Sequence, residues 1–527
     1  MVIWQNVSST LMHTEKPNLP KIPYWLITTV IACLIPLVTN VLLPFFGISV
    51  FEQRLGATTL PTLITLALGG MLYVQYLRFS LKNPLVLAIY SAVFIRLMFY
   101  AALVMETSGK HLPARIIHMG LLVVPTVLLL FKNFTYLNKN YHYFKYLVVF
   151  YIVFLLYFFF FNYNFVEPGV SITTNTSISQ GKLNDYFYTF VGLVLVSCSF
   201  QKISSLGDKF KLFQTFNLYI ILFGLVHGIL TLLGFPLDLF TMVLEGFRRA
   251  MGLYSHPNEY AKSQGLLLIY YIGLYYSYIR ANKPELLKYR MLLIVTIISN
   301  ILAFMLSMSK NSFASFGLAM GVFFVMSLAD SKIRSKILMP VVIFASLLVM
   351  ILIGYQVYTG HDLMATLTDR FNDNRSLEWR YSVWGYLIAN INKTTVWFGH
   401  GLTASNLELY RFLFNTSKQS SEQSIFVHNA LISFVYDMGI FGLLVFAGFI
   451  AAAYQGIKTY LRTHEPMMLT VTCLAIFIVV CSLVDECITF MDTSLLFWLL
   501  VTLIYSYYVT PFISQPEKKL LLNEQTE

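Results

Sequence analysis

Fourteen apolar runs, each close to the length that crosses a bilayer, constrain this 527-residue chain more than any other feature. A spanning helix needs about 20 consecutive apolar residues. The runs begin near Tyr24 and recur to about residue 509. Only 12% of the residues are charged and 57% are hydrophobic, against roughly 25% charged in soluble domains. The composition therefore predicts an all-α polytopic integral membrane protein with about 14 transmembrane helices. The net charge of +11 is spread in small basic groups between the apolar runs. That is a topological signal, and it argues against a nucleic-acid partner.

Charge also orients the chain. Every second connection is basic, from Lys16 and Lys21, through Lys202, Lys209 and Lys211, to Lys518 and Lys519. Positive loops stay on the cytoplasmic side, so both termini are expected there. The expected plan is a tail (1–23), N-terminal spans (24–234), an outer loop with an arginine pair (235–258) and central spans (259–357). A large outer loop (358–427), C-terminal spans (428–509) and a second tail (510–527) complete it. The five cysteines show neither a disulfide framework nor a zinc-type spacing. The 358–427 segment is too long for a passive connection. Within it Trp384, Leu387, Ile388 and Ile391 recur at helical spacing, which predicts a short amphipathic helix on the membrane surface. The joint Ser309-Lys310-Asn311 reads as a broken helix or a re-entrant turn.

Three polar groups fall on the outer side. Arg248 and Arg249 precede His256-Pro257-Asn258, where Asn258 suits a helix N-cap. The arginines serve either as interface anchors or as bidentate phosphate ligands. Arg375 and Arg380 lie on the large loop, followed by the Gly399-His400-Gly401 turn. Being five apart, they share a helical face poorly, and Arg375 is the expected ligand. The third group is His428-Asn429 at the entry to an apolar run, with Gly439 and Gly442 behind it. A histidine there is structural, or it is a general base, a role imidazole suits near pH 7. Small residues at the two glycines permit close packing. Arg96, within a span, and Lys310 are costly in apolar surroundings and need a partner or a wet cavity. Asp485 and Glu486 read as counter-charges or as loop residues. Neither a glycosidase-type carboxylate pair nor a phosphate-cradling glycine loop is present in the sequence, and no metal-ligand cluster stands out, so a metal-independent reaction without cofactor is expected.

In order along the chain come Arg249-x-x-Gly252 through Asn258, Leu306 to Lys310, Arg375-x-x-x-Trp379, Gly399-His400-Gly401, and His428-Asn429 with Gly439 and Gly442. This series resembles the O-antigen ligase and polymerase superfamily, from about residue 245 to 505. Two positions depart from it: Lys310 stands where the family often has arginine, and His400 where a small or apolar residue is common. The resemblance implies a C-type glycosyltransferase fold in the bacterial cytoplasmic membrane, with its site on the outer face. It implies an undecaprenyl-diphosphate oligosaccharide donor and a glycan or lipid-linked acceptor among membrane lipids, with a chain-length regulator and a flippase as further partners. Arg249 and Arg375, with Arg248 and Arg380 beside them, would bind the diphosphate. His428 would be the base, supported by Asn429, Asn258, Arg96, Lys310 and His400. Within that family the expected role is polymerisation of polysaccharide repeat units. The alternatives are ligation to lipid A–core and, in a different class, polysaccharide export without catalysis.

Overall fold

The computed structural model describes residues 241–250, 256–281, 287–330, 334, 375–415 and 427–485 with short gaps, and scattered positions from 487 to 504. The spans expected before residue 235, with Arg96, and the tail after 510 lie outside the described residues. What is described is mostly helical. One antiparallel hairpin, β1 (Thr241–Leu244) and β2 (Phe247–Ala250), pairs Val243 with Arg248 and Met242 with Arg249.

Helix α1 (Pro257–Ala281) starts where proline suits the first helical position. His256 Nδ1 accepts from the backbone N–H of Asn258 at 3.1 Å. The capping role expected of Asn258 thus falls to His256, and the Asn258 side chain is released for another contact. After a short connection, α2 (Leu287–Leu306) folds back along α1 through a core of Ala261, Leu268 and Phe304. The chain then turns at Met308, whose φ is +49°, and enters α3 (Lys310–Ser327). The Ser309 joint is therefore a turn between two helices.

Helices α8 (Leu444–Thr463) and α9 (Pro466–Ser482) form a tight hairpin. Helix α9 is apolar on every side and buried along most of its length, with α1, α3 and α8 packed around it. A helix of that character belongs at the centre of a bundle. At one end, polar pairs staple the bundle. Arg280 Nε donates to Asp330 at 2.8 Å, and Ser277 donates to Glu465 in the α8–α9 turn.

The 375–415 segment contributes α4 (Arg375–Ala389), α5 (Thr395–Phe398) and α6 (Ala404–Asn415). Helix α4 is the expected amphipathic helix. Its buried Val383 and Leu387 pack with Leu409, Val427 and Tyr436. Protein therefore covers Val383 and Leu387, where a membrane surface was expected, while Ile388 of the expected stripe stays 54% exposed.

The apolar run at 428–454, which opens the expected C-terminal spans, is interrupted. It divides into α7 (Ala430–Met438), a 3-10 turn (Gly439–Leu443) and α8. No single described helix is long and apolar enough to cross a membrane. The pair Ala430–Leu443 and Phe446–Thr463, bent by 58°, is so by length and composition. The bend is locked by glycines. Gly439 has φ +64°, and a Cβ there would lie 2.4 Å from the Trp397 carbonyl; a Cβ on Gly399 would lie 2.2 Å from the Asp437 carbonyl oxygen. The N–H groups of His400 and Gly401 donate at 2.9 Å to the carbonyls of Tyr436 and Asp437, at the end of α7. These would otherwise be orphan acceptors. Gly439→Ala is expected to destabilise the protein by about 2–3 kcal/mol through backbone strain and clash. Gly317→Ala, whose Cβ meets nothing within 4 Å, should leave the protein as stable or stabilise it slightly. Thermal unfolding of both variants in detergent checks this.

Candidate functional site

Three stretches distant in sequence meet at the turn after α9. The last carbonyls of α9 accept from the N–H groups of this turn itself, and the next two carbonyls each accept from a different element. Leu483 O accepts from Asn429 Nδ2 at 2.8 Å. Val484 O accepts from Arg380 Nη1 at 2.9 Å. The next residue, Asp485, turns its carboxylate into the same space and divides it. Oδ2 lies 2.8 Å from Lys262 Nζ on α1, and Oδ1 lies 3.2 Å from His428 Nδ1.

His428 is held from several sides. Trp384 Nε1 donates to the carbonyl of Val427 at 2.8 Å, fixing the residue before it. Asn429 caps α7 by accepting from Ile432 N–H at 3.0 Å, so the residue after it is fixed as well. Between them His428 adopts φ +55°, a region that non-glycine residues enter at a cost of roughly 1–3 kcal/mol and that tends to mark functional positions. The Trp379 ring meets the imidazole edge-on at 6.2 Å. The His428 side chain is 17% exposed, against 4% for Asp485 and 1% for Lys262. Of the three, the imidazole is the one open to a ligand.

The contact with Asp485 sets the imidazole tautomer. A carboxylate only accepts, so Nδ1 carries the proton. In the neutral ring Nε2 is then the nitrogen that can accept a proton. Burial alone would raise the Asp485 carboxyl, but Lys262, His428 and Arg380 outweigh it and hold the group well below the usual carboxylate range.

Arg249 reaches the same region from β2. Its Nε donates to Ser307 O at 2.8 Å and its Nη2 to Asn258 Oδ1 at 2.6 Å. The Leu306–Lys310 stretch is thus the receiver of this arginine: the turn at Met308 leaves the Ser307 carbonyl open to it. Burial lowers the Arg249 guanidinium to about 10, opposed by Asp485, and it remains a cation. Burial lowers His256 to about 4, with Asp485 again opposing, so at neutral pH it is an uncharged acceptor. Burial also lowers Arg380, opposed by Asp485.

The structure therefore brings together His428, Asn429, Arg249, Asn258 and Arg380 from the residues singled out in the sequence. Asp485 is the counter-charge of the two readings left open for it. Lys262, which sequence reasoning passed over, is its partner. His400 sits elsewhere, at the far end of α7, stacked on Tyr436 with ring centroids 4.1 Å apart. Lys310 opens α3. The backbones of Arg248 and Arg375 lie in β2 and at the start of α4, but their side chains are outside the described residues, as is Arg96.

Residues 292–447 match the family model described as O-antigen ligase. The match contains Arg375, Arg380, the Gly399-His400-Gly401 turn and His428 through Gly442. Arg249 and Lys262 lie before it and Asp485 after it, so the fold completes from both sides a cluster that the matched stretch only begins. No curated protein matches the chain.

Proposed function

We propose that this chain, with an O-antigen ligase-type segment at residues 292–447, transfers a glycan from undecaprenyl diphosphate to an acceptor sugar hydroxyl. The reaction runs at the outer face of the bacterial cytoplasmic membrane, without a metal. The observation that carries this reading is the His428–Asp485 contact at 3.2 Å, with Arg249 and Arg380 beside it. It supplies a base, the group that orients the base, and cations for an anionic leaving group in one place.

In this reading the acceptor hydroxyl donates its proton to His428 Nε2. Its oxygen forms a bond to the anomeric carbon of the donor. The bond from that carbon to the diphosphate oxygen breaks on the opposite face, and the diphosphate leaves with the electron pair. The configuration inverts. Arg249 and Arg375 neutralise the diphosphate and stabilise its charge as it departs, with Arg248 and Arg380 supporting them. Asp485 stabilises the imidazolium that forms, as the carboxylate of a hydrolase triad does. Asn429 and Asn258 hold His428 and Arg249 in place. The preferred acceptor is another lipid-linked repeat unit, so the product is a longer polysaccharide.

The test is incubation of purified protein with undecaprenyl-diphosphate oligosaccharide, with the products separated by size. A ladder of multiples supports polymerisation. A single addition that depends on added lipid A–core supports ligation. Movement of donor across vesicles with no new glycosidic bond would support an exporter and overturn the proposal.

A further inference from the structure

Lys262 is 1% exposed, in the second turn of α1 beside buried Ser263 and Gln264, and its ammonium lies 2.8 Å from Asp485 Oδ2. Two buried ions carry a desolvation penalty that their attraction often fails to offset, so stability alone explains the pair poorly. The division of the carboxylate explains it better: Oδ2 faces Lys262 and Oδ1 faces His428.

Consider Asp485 without Lys262. An isolated buried carboxylate is strongly unfavourable and acquires a proton or a cation. Among the described residues the imidazole lies 3.2 Å from it and would hold a proton as an ion pair. A protonated imidazole cannot accept one from a hydroxyl. The other cations facing Asp485 are directed elsewhere: Arg249 to Ser307 O and Asn258, and Arg380 to Val484 O. His256 is committed as an acceptor from Asn258 N–H. The Cys481 and Cys487 side chains also lie against Lys262 and Asp485.

We propose that Lys262 is a positioning residue that keeps Asp485 anionic by a permanent ion pair, leaving His428 free to be neutral when the acceptor arrives. This rests on the glycan-transfer reading above. Asp485 then serves two cations at different moments: Lys262 always, and His428 only while it holds the acceptor's proton. After the product leaves, the proton returns to water through the exposed side of His428, and the pair with Lys262 remains.

The test is the pH dependence of transfer by the full-length protein, using undecaprenyl-diphosphate oligosaccharide. In Lys262→Gln, the anion left beside His428 favours the imidazolium, so the acid limb of the rate profile is expected to move up by about one pH unit. Lys262→Arg keeps the charge and should leave the limb in place. Lys262→Gln combined with Asp485→Asn removes both charges, and the limb of its residual transfer, about 10²-fold or more below wild type, should fall below that of the wild type. That neutral pair also decides the matter if the single variant fails to accumulate. A Lys262→Gln limb at the wild-type position with only a lower plateau would show a merely structural lysine. A shift shared by Lys262→Arg, or a double-variant limb at or above the wild-type position, would also overturn the proposal. His428→Ala separates the two ideas. If it abolishes transfer while the Lys262 limbs stay fixed, the lysine proposal fails alone; if it transfers as wild type, the reading beneath it fails.

Discussion

His428→Ala is expected to lower glycan transfer by about 10²–10⁴-fold, the usual contribution of a positioned general base. The fold should survive the change. The side chain is 17% exposed, and the backbone at 427–429 is pinned by contacts that do not involve the imidazole: Trp384 to the Val427 carbonyl, and Asn429 to Leu483 and Ile432. The loss should therefore appear in turnover and not in protein level. Binding of the lipid-diphosphate donor should persist, because the arginines are untouched. A variant that both binds and turns over as wild type would leave the imidazole with no chemical role.

Asp485→Asn is expected to cost as much in turnover and, unlike His428→Ala, to cost stability too. An asparagine amide can donate to Nδ1, which favours the tautomer with Nε2 protonated and removes the lone pair that the acceptor needs. Carboxylate-to-amide changes of this kind at a base's partner cost up to about 10⁴ in other enzymes. At the same time Lys262 loses its counter-ion while 1% exposed. Breaking a buried ion pair from one side destabilises by about 3–5 kcal/mol. Yield and thermal stability in detergent measure the second effect, and rate per folded molecule measures the first. Unchanged turnover in the folded fraction would show that the contact with His428 is incidental to chemistry.

How much of this was legible depends on the kind of signal. Helix positions followed hydrophobic length: α1 (Pro257–Ala281) opens where the central spans were expected to begin, at 259, and α9 (Pro466–Ser482) falls within the C-terminal spans expected at 428–509. The break at Gly439 was not legible as a break. Average apolarity runs smoothly through 428–454, while the cause is a backbone contact with Trp397 across the fold. His428 and Arg249 were legible because short motifs mark them. The choice of Arg375 over Arg380 rested on spacing along one helix. In the fold Arg380 is drawn to the 483–485 turn by a carbonyl on another element, which spacing cannot reveal. Lys262 was invisible for a related reason. It sits near the start of a helix, and the carboxylate it pairs with lies more than two hundred residues later. Partners that distant leave no local pattern.

The central claim is that His428, oriented by Asp485, takes the acceptor's proton while the arginines hold the donor. The measurement that meets it most directly is a paired one on purified His428→Ala and wild-type protein. Binding of undecaprenyl-diphosphate oligosaccharide and its transfer to acceptor are followed in the same preparation. The account requires donor affinity within about twofold of wild type and transfer reduced by at least about 10²-fold. Transfer at the wild-type rate by His428→Ala, with donor bound, would contradict it.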